Sequence, residues 1–275
     1  FPGSFFIFVS MSNLQPIGIF DSGVGGTSIW REIHELLPFE KTIYLADSKN
    51  APYGEKPIED IKNLSRKNTE KLLEMGTKII VVACNTATTN AIKDLRNEYA
   101  FPFIGIEPAI KPAALNTKTK TIGILATRGT LTSTLFSKTS DFYARNINVV
   151  EVEARGLVEL IEAGDLDYHQ MRSHVLILLE PFLVKKIDYL VLGCSHYPYL
   201  IPILKELMPK DVIIIDSGEA VARQTKSILN ENNLLITEVP SQKPIPEFFS
   251  NTNPKVLENL TEAEKNGYKV SYLDF

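Results

Sequence analysis

The sequence is poor in cysteine and in long apolar runs. It holds two cysteines and one tryptophan among 275 residues. Two cysteines are too few for a disulfide framework, so we expect free thiols in a reducing, cytoplasmic compartment. No apolar run approaches the ~18 residues that a membrane-spanning helix needs. These absences argue against a disulfide-rich secreted domain and against a membrane protein.

A basic excess and metal-binding spacings are also lacking. The formal net charge is −4, which gives no electrostatic footprint for a nucleic-acid partner. Neither Cys-x-x-Cys nor His-x-x-x-His occurs, so we expect no metal site. The loop Asp21-Ser-Gly-Val-Gly-Gly looks like a phosphate loop, but Ser28 occupies the third glycine position and no Walker lysine follows. Asp21 would repel a pyrophosphate and is better suited to an ammonium group or to a thiol proton.

What the sequence does contain is an alternation of short β-branched runs with helical patterns, which is typical of parallel α/β units. Ile17-Gly-Ile-Phe matches Ile122-Gly-Ile-Leu, so the strands divide into two groups of four and indicate a degenerate internal repeat. We therefore expect the active site between two halves. The predicted strands are 17–20, 42–46, 79–83, 103–106, 122–125, 149–152, 189–192 and 212–215.

The two ends of the chain are less regular. Residues 1–10 match no part of the repeat. We interpret Met11 as the natural start and residues 1–10 as an N-terminal extension, with an added edge strand as the alternative. After residue 230 four prolines interrupt the pattern, and a helix is predicted over 256–266. Three further helices are predicted to end near Leu37, Gly76 and Gly164.

Both cysteines occupy the same kind of position. Cys84 and Cys194 each follow an apolar run of strand length and precede small polar residues and a helical pattern. Such a strand-to-helix turn is where α/β proteins bind ligands, and helix N-terminal N–H groups favour a thiolate there. A lone buried cysteine is more often an inert apolar side chain. A matched pair, however, indicates one acid and one base.

Polar side chains beside the two cysteines could bind a small anion. Asn85, Thr86 and Thr88, next to the first cysteine, could direct hydrogen-bond donors at one carboxylate. Ser195 and His196 follow the second cysteine, and His196 is the one histidine of four that adjoins a candidate nucleophile. The other histidines, which we interpret as solvated surface residues, are His34, His169 and His174.

Five motifs follow one another along the chain: Asp21-Ser-Gly-Val-Gly-Gly, Pro52-Tyr-Gly, Ala83-Cys-Asn-Thr-Ala-Thr, Glu162-Ala-Gly and Leu192-Gly-Cys-Ser-His-Tyr-Pro. In this order and spacing they resemble the bacterial glutamate racemase family, a branch of the cofactor-independent aspartate/glutamate racemases. The resemblance extends from about Ile17 to Ala222. Two departures stand out: Ser195 stands where the family usually has threonine, and residues 244–253 do not follow the family pattern.

The resemblance implies an α/β fold of two pseudo-symmetric domains with parallel central sheets, exchanged final strands and the active site in the cleft between them. The first domain would hold residues 11–106 and 216–275 with Cys84, and the second residues 107–215 with Cys194. It also implies a small-molecule substrate and leaves a homodimer as an option for assembly.

The implied reaction interconverts L-glutamate and D-glutamate and supplies D-glutamate for cell-wall peptidoglycan. Inverting an α-carbon requires removing a proton from one face and returning one to the other, so two monoprotic groups must flank a planar intermediate. Cys84 and Cys194 meet that need, and by the resemblance Cys84 acts on the D form and Cys194 on the L form. The sequence has no pyridoxal phosphate motif, so we expect no cofactor and a carbanion stabilised by charge and hydrogen bonds.

The resemblance also assigns supporting residues. Asp21 would assist Cys84, whereas Glu162 and His196 would assist Cys194. Asp21 and His196 would also contact the substrate. The other implied substrate contacts are Ser22, Pro52, Tyr53 and Gly54 at the side-chain carboxylate, and Asn85, Thr86, Thr127, Thr130 and Ser195 at the amino and α-carboxylate ends.

Three alternatives stay open at this point. A thiol hydrolase would use one cysteine with His196 as its base. A two-lobed binding protein would use the same cleft without catalysis. Within the superfamily an aspartate racemase is the closest competitor, although the Pro52-Tyr-Gly motif resembles the glutamate branch.

Overall fold

Two parallel β-sheets form the framework of the molecule. The computed structural model describes residues 13–164, 168–238 and 240–275. The eight predicted strands and the α/β fold class are confirmed, and no strand end differs by more than one residue. The strands are β1 (Ile17–Asp21), β2 (Thr42–Ala46), β3 (Ile79–Val82), β4 (Phe103–Gly105), β5 (Thr121–Ala126), β6 (Asn148–Glu153), β7 (Tyr189–Gly193), β8 (Ile213–Ile215), β9 (Glu247–Ser250) and β10 (Lys269–Tyr272).

Both sheets arrange their first four strands in the same order. The larger sheet runs β10-β9-β2-β1-β3-β4, and the smaller sheet runs β6-β5-β7-β8. β1 and β5, which carry the matching Ile-Gly-Ile segments, therefore hold equivalent places between the second and third strands of their halves. This common order agrees with the internal repeat inferred from the sequence.

The fourth strand of each half stays in its own sheet, because β4 pairs with β3 and β8 pairs with β7. The exchange of final strands expected from the resemblance is therefore wrong. Instead, the segment after β8 returns to the larger sheet, where β9 pairs with β2 and β10 pairs with β9. These two strands were not predicted from the sequence, since each has only four residues and prolines flank β9. The domain boundaries after residues 106 and 215 stay a prediction.

Helices connect most of the strands. Gly76 and Gly164, with φ of 74° and 70°, follow α2 and α7 as the sequence predicts, because glycine adopts the left-handed conformation without strain. The helix predicted over 256–266 is two helices, since Glu262 at φ 50° interrupts it. The helices are α1 (Thr27–Leu36), α2 (Ile58–Glu74), α3 (Asn85–Glu98), α4 (Ile110–Asn116), α5 (Arg128–Leu131), α6 (Thr134–Tyr143), α7 (Leu157–Glu162), α8 (Tyr168–Lys185), α9 (Ile201–Leu207), α10 (Gly218–Glu231), α11 (Lys255–Thr261) and α12 (Ala263–Asn266).

The main apolar core spans both halves. Ile19 and Val81 of the larger sheet belong to the same buried cluster as Leu125 and Leu192 of the smaller sheet. Burying side chains of this size contributes about 1.5–3 kcal/mol each. The two sheets are therefore held in a fixed relation, which in turn fixes the groups at their strand ends.

A buried ion pair anchors the start of β3. The Lys78 Nζ lies 2.5 Å from Glu40 Oε2, and both side chains are almost fully buried. The same ammonium donates hydrogen bonds to the carbonyl oxygens of Asn13 at 2.6 Å and Leu234 at 2.8 Å. Glu40 Oε1 accepts a hydrogen bond from the Ile236 N–H at 2.9 Å. The strand that leads to the first cysteine is thus tied to the segment after α10.

Among the histidines interpreted as solvated surface residues, His34 packs against an aromatic ring and His174 contacts a backbone carbonyl. The ring of His34 stacks on Trp30 with a centroid distance of 5.0 Å, and its Nδ1 is buried. The interpretation is wrong for His34, because Trp30 lies one turn earlier on the same helix face. His174 Nε2 lies 2.7 Å from the carbonyl oxygen of Arg155. His169 is exposed, as predicted.

The proposed extension over residues 1–10 and its alternative as an edge strand lie outside the described residues. In the part of the chain that the structure describes, no helix combines the length and the apolar character needed to span a bilayer.

Candidate active site

The predicted site residues gather at the carboxyl ends of the parallel strands. Asp21 is the last residue of β1, Cys84 is the N-cap of α3 after β3, and Cys194 follows β7. The carboxyl ends of parallel strands are where α/β proteins bind ligands. A small cavity lies there. It is lined by Ser22, Pro52, Tyr53, Gly54, Cys84, Asn85, Thr86, Thr127, Val158, Cys194, Ser195 and His196.

The Cys84 sulfur has only neutral hydrogen-bond partners. Its thiol donates to Ser22 Oγ at 3.6 Å, and its Sγ accepts from the Ala87 N–H at 3.4 Å. Burial of the side chain, reinforced by the negative charge of Asp21, raises the pKa of Cys84 well above its usual range. Cys84 is therefore a thiol at neutral pH unless a ligand brings positive charge to it.

The Cys194 sulfur faces an ionisable pair. Its Sγ lies 3.8 Å from His196 Nδ1, and His196 Nε2 lies 2.5 Å from Glu162 Oε1. Burial by itself lowers the pKa of His196, but the contacts with Cys194 and Glu162 outweigh it and raise that pKa well above its ordinary value. His196 can therefore be cationic at neutral pH, and an imidazolium stabilises negative charge that develops on the neighbouring sulfur.

Residues of the first half hold Glu162 in place, although Glu162 belongs to the second half. Its Oε1 accepts a hydrogen bond from the Val24 N–H at 2.6 Å, and its Oε2 accepts one from the Ser48 hydroxyl at 2.7 Å. Both carboxylate oxygens are thus engaged, which fixes the edge that faces His196. Ser48 was not predicted as a site residue, although it lies two residues after β2, at the same kind of strand end as the two cysteines.

Asp21 is linked to the second half rather than to a single cysteine. Its Oδ2 accepts hydrogen bonds from the N–H groups of Gly23 at 3.3 Å and Gly26 at 2.9 Å. Its Oδ1 accepts from the Ser195 hydroxyl at 3.1 Å, and Ser195 Oγ lies 3.4 Å from His196 Nδ1. Burial raises the pKa of Asp21 despite these contacts. The predicted assistance of Asp21 to Cys84 stays a prediction, and Ser22 makes the direct contact with that sulfur.

The glycines after β1 make room for side chains of the second half. A Cβ added at Gly23 would collide with the Glu162 carboxylate, and one added at Gly25 would collide with the His196 ring. The space over these glycines is therefore occupied by Glu162 and His196, which come from distant segments that the local sequence pattern does not reveal.

Three hydroxyl groups meet across the two halves. Thr86 Oγ1 lies 2.8 Å from Thr127 Oγ1 and 3.4 Å from Thr130 Oγ1, and the last two are 3.1 Å apart. Thr130 stands behind the cavity lining formed by the other two. Thr88, expected to point a donor at a ligand, instead donates to the Val82 carbonyl at 3.1 Å. That expectation is wrong because the Thr88 hydroxyl is already bonded to Val82, the last residue of β3.

The Asn85 side chain indicates that a polar ligand belongs in the cavity. Both its amide nitrogen and its amide oxygen are buried, and neither has a hydrogen-bond partner in the structure. An unpaired buried polar group costs roughly 1–3 kcal/mol. Because Asn85 lines the cavity, a ligand with both a donor and an acceptor at this place would satisfy it.

A buried polar network supports the Pro52-Tyr53-Gly54 loop from behind. The Tyr53 hydroxyl donates to the Asp47 carboxylate and accepts from Asn68 Nδ2 at 3.0 Å. Asp47 also accepts from Asn50 Nδ2 at 2.8 Å and from Asn251 Nδ2 at 2.5 Å. Tyr53 was predicted as a site residue from the sequence, but none of these hydrogen-bond partners was. Asp47 follows β2 directly and could have been found by its strand-end position, whereas nothing in the sequence pattern singles out Asn251.

Comparison with known proteins identifies a family for most of the chain. Residues 17–225 match the family described as Asp/Glu/Hydantoin racemase. A glutamate racemase from Pseudomonas putida (strain W619) is 46% identical over 246 residues, which are 89% of this chain and 92% of that relative. The chain is thus similar to such relatives over nearly their whole length.

Solved structures with the same architecture are also similar in sequence. Glutamate racemase isoform RacE1 from Bacillus anthracis superposes with a TM-score of 0.83 at 30% identity, over 95% of this chain and 97% of that one. Glutamate racemase from Escherichia coli, solved in complex with L-glutamate and the activator UDP-MurNAc-Ala, gives a TM-score of 0.81 at 32% identity, over 94% and 97%.

Proposed function

The chain belongs to the Asp/Glu/Hydantoin racemase family, and we propose that within it the chain is a glutamate racemase that uses Cys84 and Cys194 as its two bases. One observation carries the proposal: the two cysteines follow equivalent strands of two repeated halves and line the same cavity. Inversion at an α-carbon needs one proton-transfer group on each face of the substrate. Two thiols contributed by opposite halves suit that requirement.

The different surroundings of the two cysteines favour different roles for them in each direction of the reaction. In the proposed L-to-D direction, Cys194 removes the α-proton while Cys84, a thiol at rest, returns one to the opposite face. Cationic His196, held by Glu162, stabilises the charge on Cys194. The reverse direction starts from a Cys84 thiolate and a Cys194 thiol, which is the protonation state that one L-to-D turnover leaves behind. The ammonium group of the substrate then supplies the positive charge that the surroundings of Cys84 lack.

The other proposed contacts position the substrate and stabilise the carbanion. The unpaired amide of Asn85, with the hydroxyls of Thr86 and Thr127, would bind the α-carboxylate and ammonium ends. The backbone of Tyr53 and Gly54 and the Ser22 hydroxyl would meet the distal carboxylate. Fixed donors aimed at developing charge can carry a large part of the catalysis, so the proposed reaction needs neither pyridoxal phosphate nor metal.

The proposed product, D-glutamate, would serve peptidoglycan synthesis in the cytoplasm. The Escherichia coli relative was solved with the activator UDP-MurNAc-Ala. Adding that compound to a glutamate racemisation assay tests whether this chain responds in a comparable way. A homodimer stays an option for assembly.

Circular dichroism of glutamate tests the proposal directly. Purified protein in reductant, without added cofactor or metal, should drive either enantiomer to zero signal. Strict dependence on pyridoxal phosphate, or loss of activity with a chelator, would refute the mechanism. A substrate panel tests the choice of amino acid: aspartate should be turned over far more slowly, because it leaves the distal donors unpaired. Comparable turnover of both would favour the aspartate branch.

The Cys194–His196 contact would also suit a thiol hydrolase. Family membership and the position of Cys84 favour the racemase. Trapping of an acyl-enzyme on Cys194 would favour the hydrolase instead.

A further inference from the structure

Asn251 directly follows β9 in the proline-rich C-terminal segment and forms hydrogen bonds with the turn that follows β2. Its Nδ2 donates to Asp47 Oδ1 at 2.5 Å, and its Oδ1 accepts from the Lys49 N–H at 2.9 Å. Its own N–H donates to the carbonyl oxygen of Ala46 at 3.4 Å. The side chain is buried, and both ends of its amide are used. Asn251 therefore fixes the position of the Asp47 carboxylate.

That carboxylate in turn fixes Tyr53. The Tyr53 hydroxyl donates to Asp47 Oδ2, while Asn251 and Asn50 occupy Oδ1. Asp47 and Tyr53 are only 2% and 1% exposed, so water does not substitute for these bonds. A continuous chain of hydrogen bonds thus leads from the C-terminal segment to a residue of the cavity lining.

The loop at the end of this chain has little freedom on its other side. Gly54 packs against Thr127 of the opposite half so closely that an added Cβ would lie 2.8 Å from the Thr127 Cβ. The loop is therefore held between Thr127 in front and the Asp47 network behind.

We infer that Asn251 is a positioning residue: through Asp47 and Tyr53 it sets the place of the loop that receives the distal carboxylate, and with it the preference for glutamate over aspartate. The inference rests on the proposed function for the identity of the substrate. Without Asn251, the buried Asp47 Oδ1 loses one of its two hydrogen-bond donors, which costs free energy. A shift of the turn after β2 would reduce that cost. A shift of the loop changes the reach between the distal carboxylate and the α-carbon, which separates the two amino acids.

The first variant is Asn251→Leu, which keeps a side chain of similar size and removes both hydrogen bonds. We expect the KM for L-glutamate to rise about tenfold or more, with kcat changed less, because the lost contact is remote from the reacting carbon. The glutamate-to-aspartate ratio of kcat/KM should fall. Calorimetric titration with L-glutamate should show the same loss as a weaker Kd, which does not depend on turnover.

A charge exchange tests whether Asn251 acts through Asp47. Asn251→Asp places two carboxylates face to face, and Asp47→Asn removes the charge that Tyr53 contacts, so each single variant should weaken L-glutamate binding. The double variant Asp47→Asn/Asn251→Asp restores an amide–carboxylate pair in the opposite sense. It should bind L-glutamate more tightly than either single variant, a coupling that independent structural damage does not produce.

Thr42→Val is the matched control. Thr42 lies at the other end of β2, is buried, and accepts a hydrogen bond from Trp30 Nε1 at 3.0 Å. This variant also loses one buried hydrogen bond and should lower the melting temperature, yet it should leave KM and the amino-acid preference unchanged.

A folded Asn251→Leu protein with wild-type Kd, KM and amino-acid preference would overturn the inference. So would a double variant no better than the worse single variant. Wild-type protein that binds L-glutamate but does not racemise it would refute the proposed function alone, since the Kd values still test the inference. Wild-type protein that does not bind L-glutamate would overturn both.

Discussion

The two halves of the molecule share a strand order but surround their cysteines with different chemistry. Cys84 has a hydroxyl and a backbone N–H as partners, and burial near a negative charge keeps it protonated. Cys194 faces His196, whose charge is stabilised by Glu162. A repeat can therefore preserve the place of a sulfur atom while the neighbouring residues give it different electrostatic surroundings.

The proposed reaction needs one thiol and one thiolate at the same time. Two identical environments would leave the proton equally shared. The asymmetry instead suits one direction of the proposed reaction, in which Cys194 would be the base and Cys84 the acid. The reverse direction depends on the positive charge of the substrate. Substitutions that remove or exaggerate the difference between the two halves therefore test the proposed mechanism.

The largest effect should come from the sulfur atoms. Cys84→Ser and Cys194→Ser should each lower racemisation by at least about 1,000-fold, because a serine hydroxyl is too weak an acid to act as a base near neutral pH. The rate at which the circular dichroism signal of glutamate disappears measures racemisation. As a control, both variants should melt at the same temperature as the wild type. Inversion by either variant at an unchanged rate would overturn the two-base account.

The halves should also differ in stability where their third strands begin. Lys78 precedes β3 as a buried ion-pair partner, whereas Asp188 precedes β7 and accepts hydrogen bonds from Thr117 and the backbone at 118 and 119. Lys78→Met should cost about 3–5 kcal/mol of unfolding free energy, because it leaves Glu40 buried without its cation. Asp188→Asn should cost only about 1–2 kcal/mol. Urea unfolding of both variants measures the difference, and equal losses would contradict it.

Glu162 and Asp21 should affect the two directions unequally. Glu162→Gln should lower kcat from L-glutamate by about 10–100-fold and kcat from D-glutamate less, since it weakens the charge beside Cys194. Asp21→Asn should lower kcat from D-glutamate more than kcat from L-glutamate. The difference should be smaller than for Glu162→Gln, because Asp21 also accepts a hydrogen bond from Ser195. The enantiomers have equal free energy, so kcat/KM must fall equally in both directions. Initial rates from each enantiomer supply the test, and identical kcat losses would show that the two surroundings are not specialised.

A smaller effect concerns pH. Because folding raises the pKa of His196, its contribution to stability is fully present below its unfolded pKa of about 6.5 and is lost as pH rises through the folded value. Glu162→Gln removes one cause of that rise. The difference in unfolding free energy between wild type and this variant should therefore be largest near pH 6 and shrink in alkaline buffer. A difference that grows with pH would contradict the assignment.

The sequence predicted the parts of this comparison that depend on local pattern. The β-branched runs before Cys84 and Cys194 identified β3, β7 and the matched position of the sulfurs. It did not reveal how the halves meet. The glycines at 23 and 25 leave space for the side chains of Glu162 and His196, which lie more than a hundred residues later in the sequence.

The C-terminal segment shows the same limit. β9 is four residues long and flanked by prolines, so neither length nor periodicity marks it as a strand. Its place beside β2 is set by pairing with the larger sheet, and only that pairing brings Asn251 to Asp47. Contacts between distant segments are a property of the folded chain, and a single sequence does not display them.

The central claim is that each cysteine serves one face of the α-carbon, and solvent deuterium exchange tests it most directly. In D2O, the Cys84→Ser protein should exchange the α-proton of L-glutamate through Cys194, and the Cys194→Ser protein should exchange that of D-glutamate through Cys84. Neither should invert its substrate at a wild-type rate. Nuclear magnetic resonance of the α-proton with each enantiomer gives the result. Exchange of the same enantiomer by both variants would contradict the account.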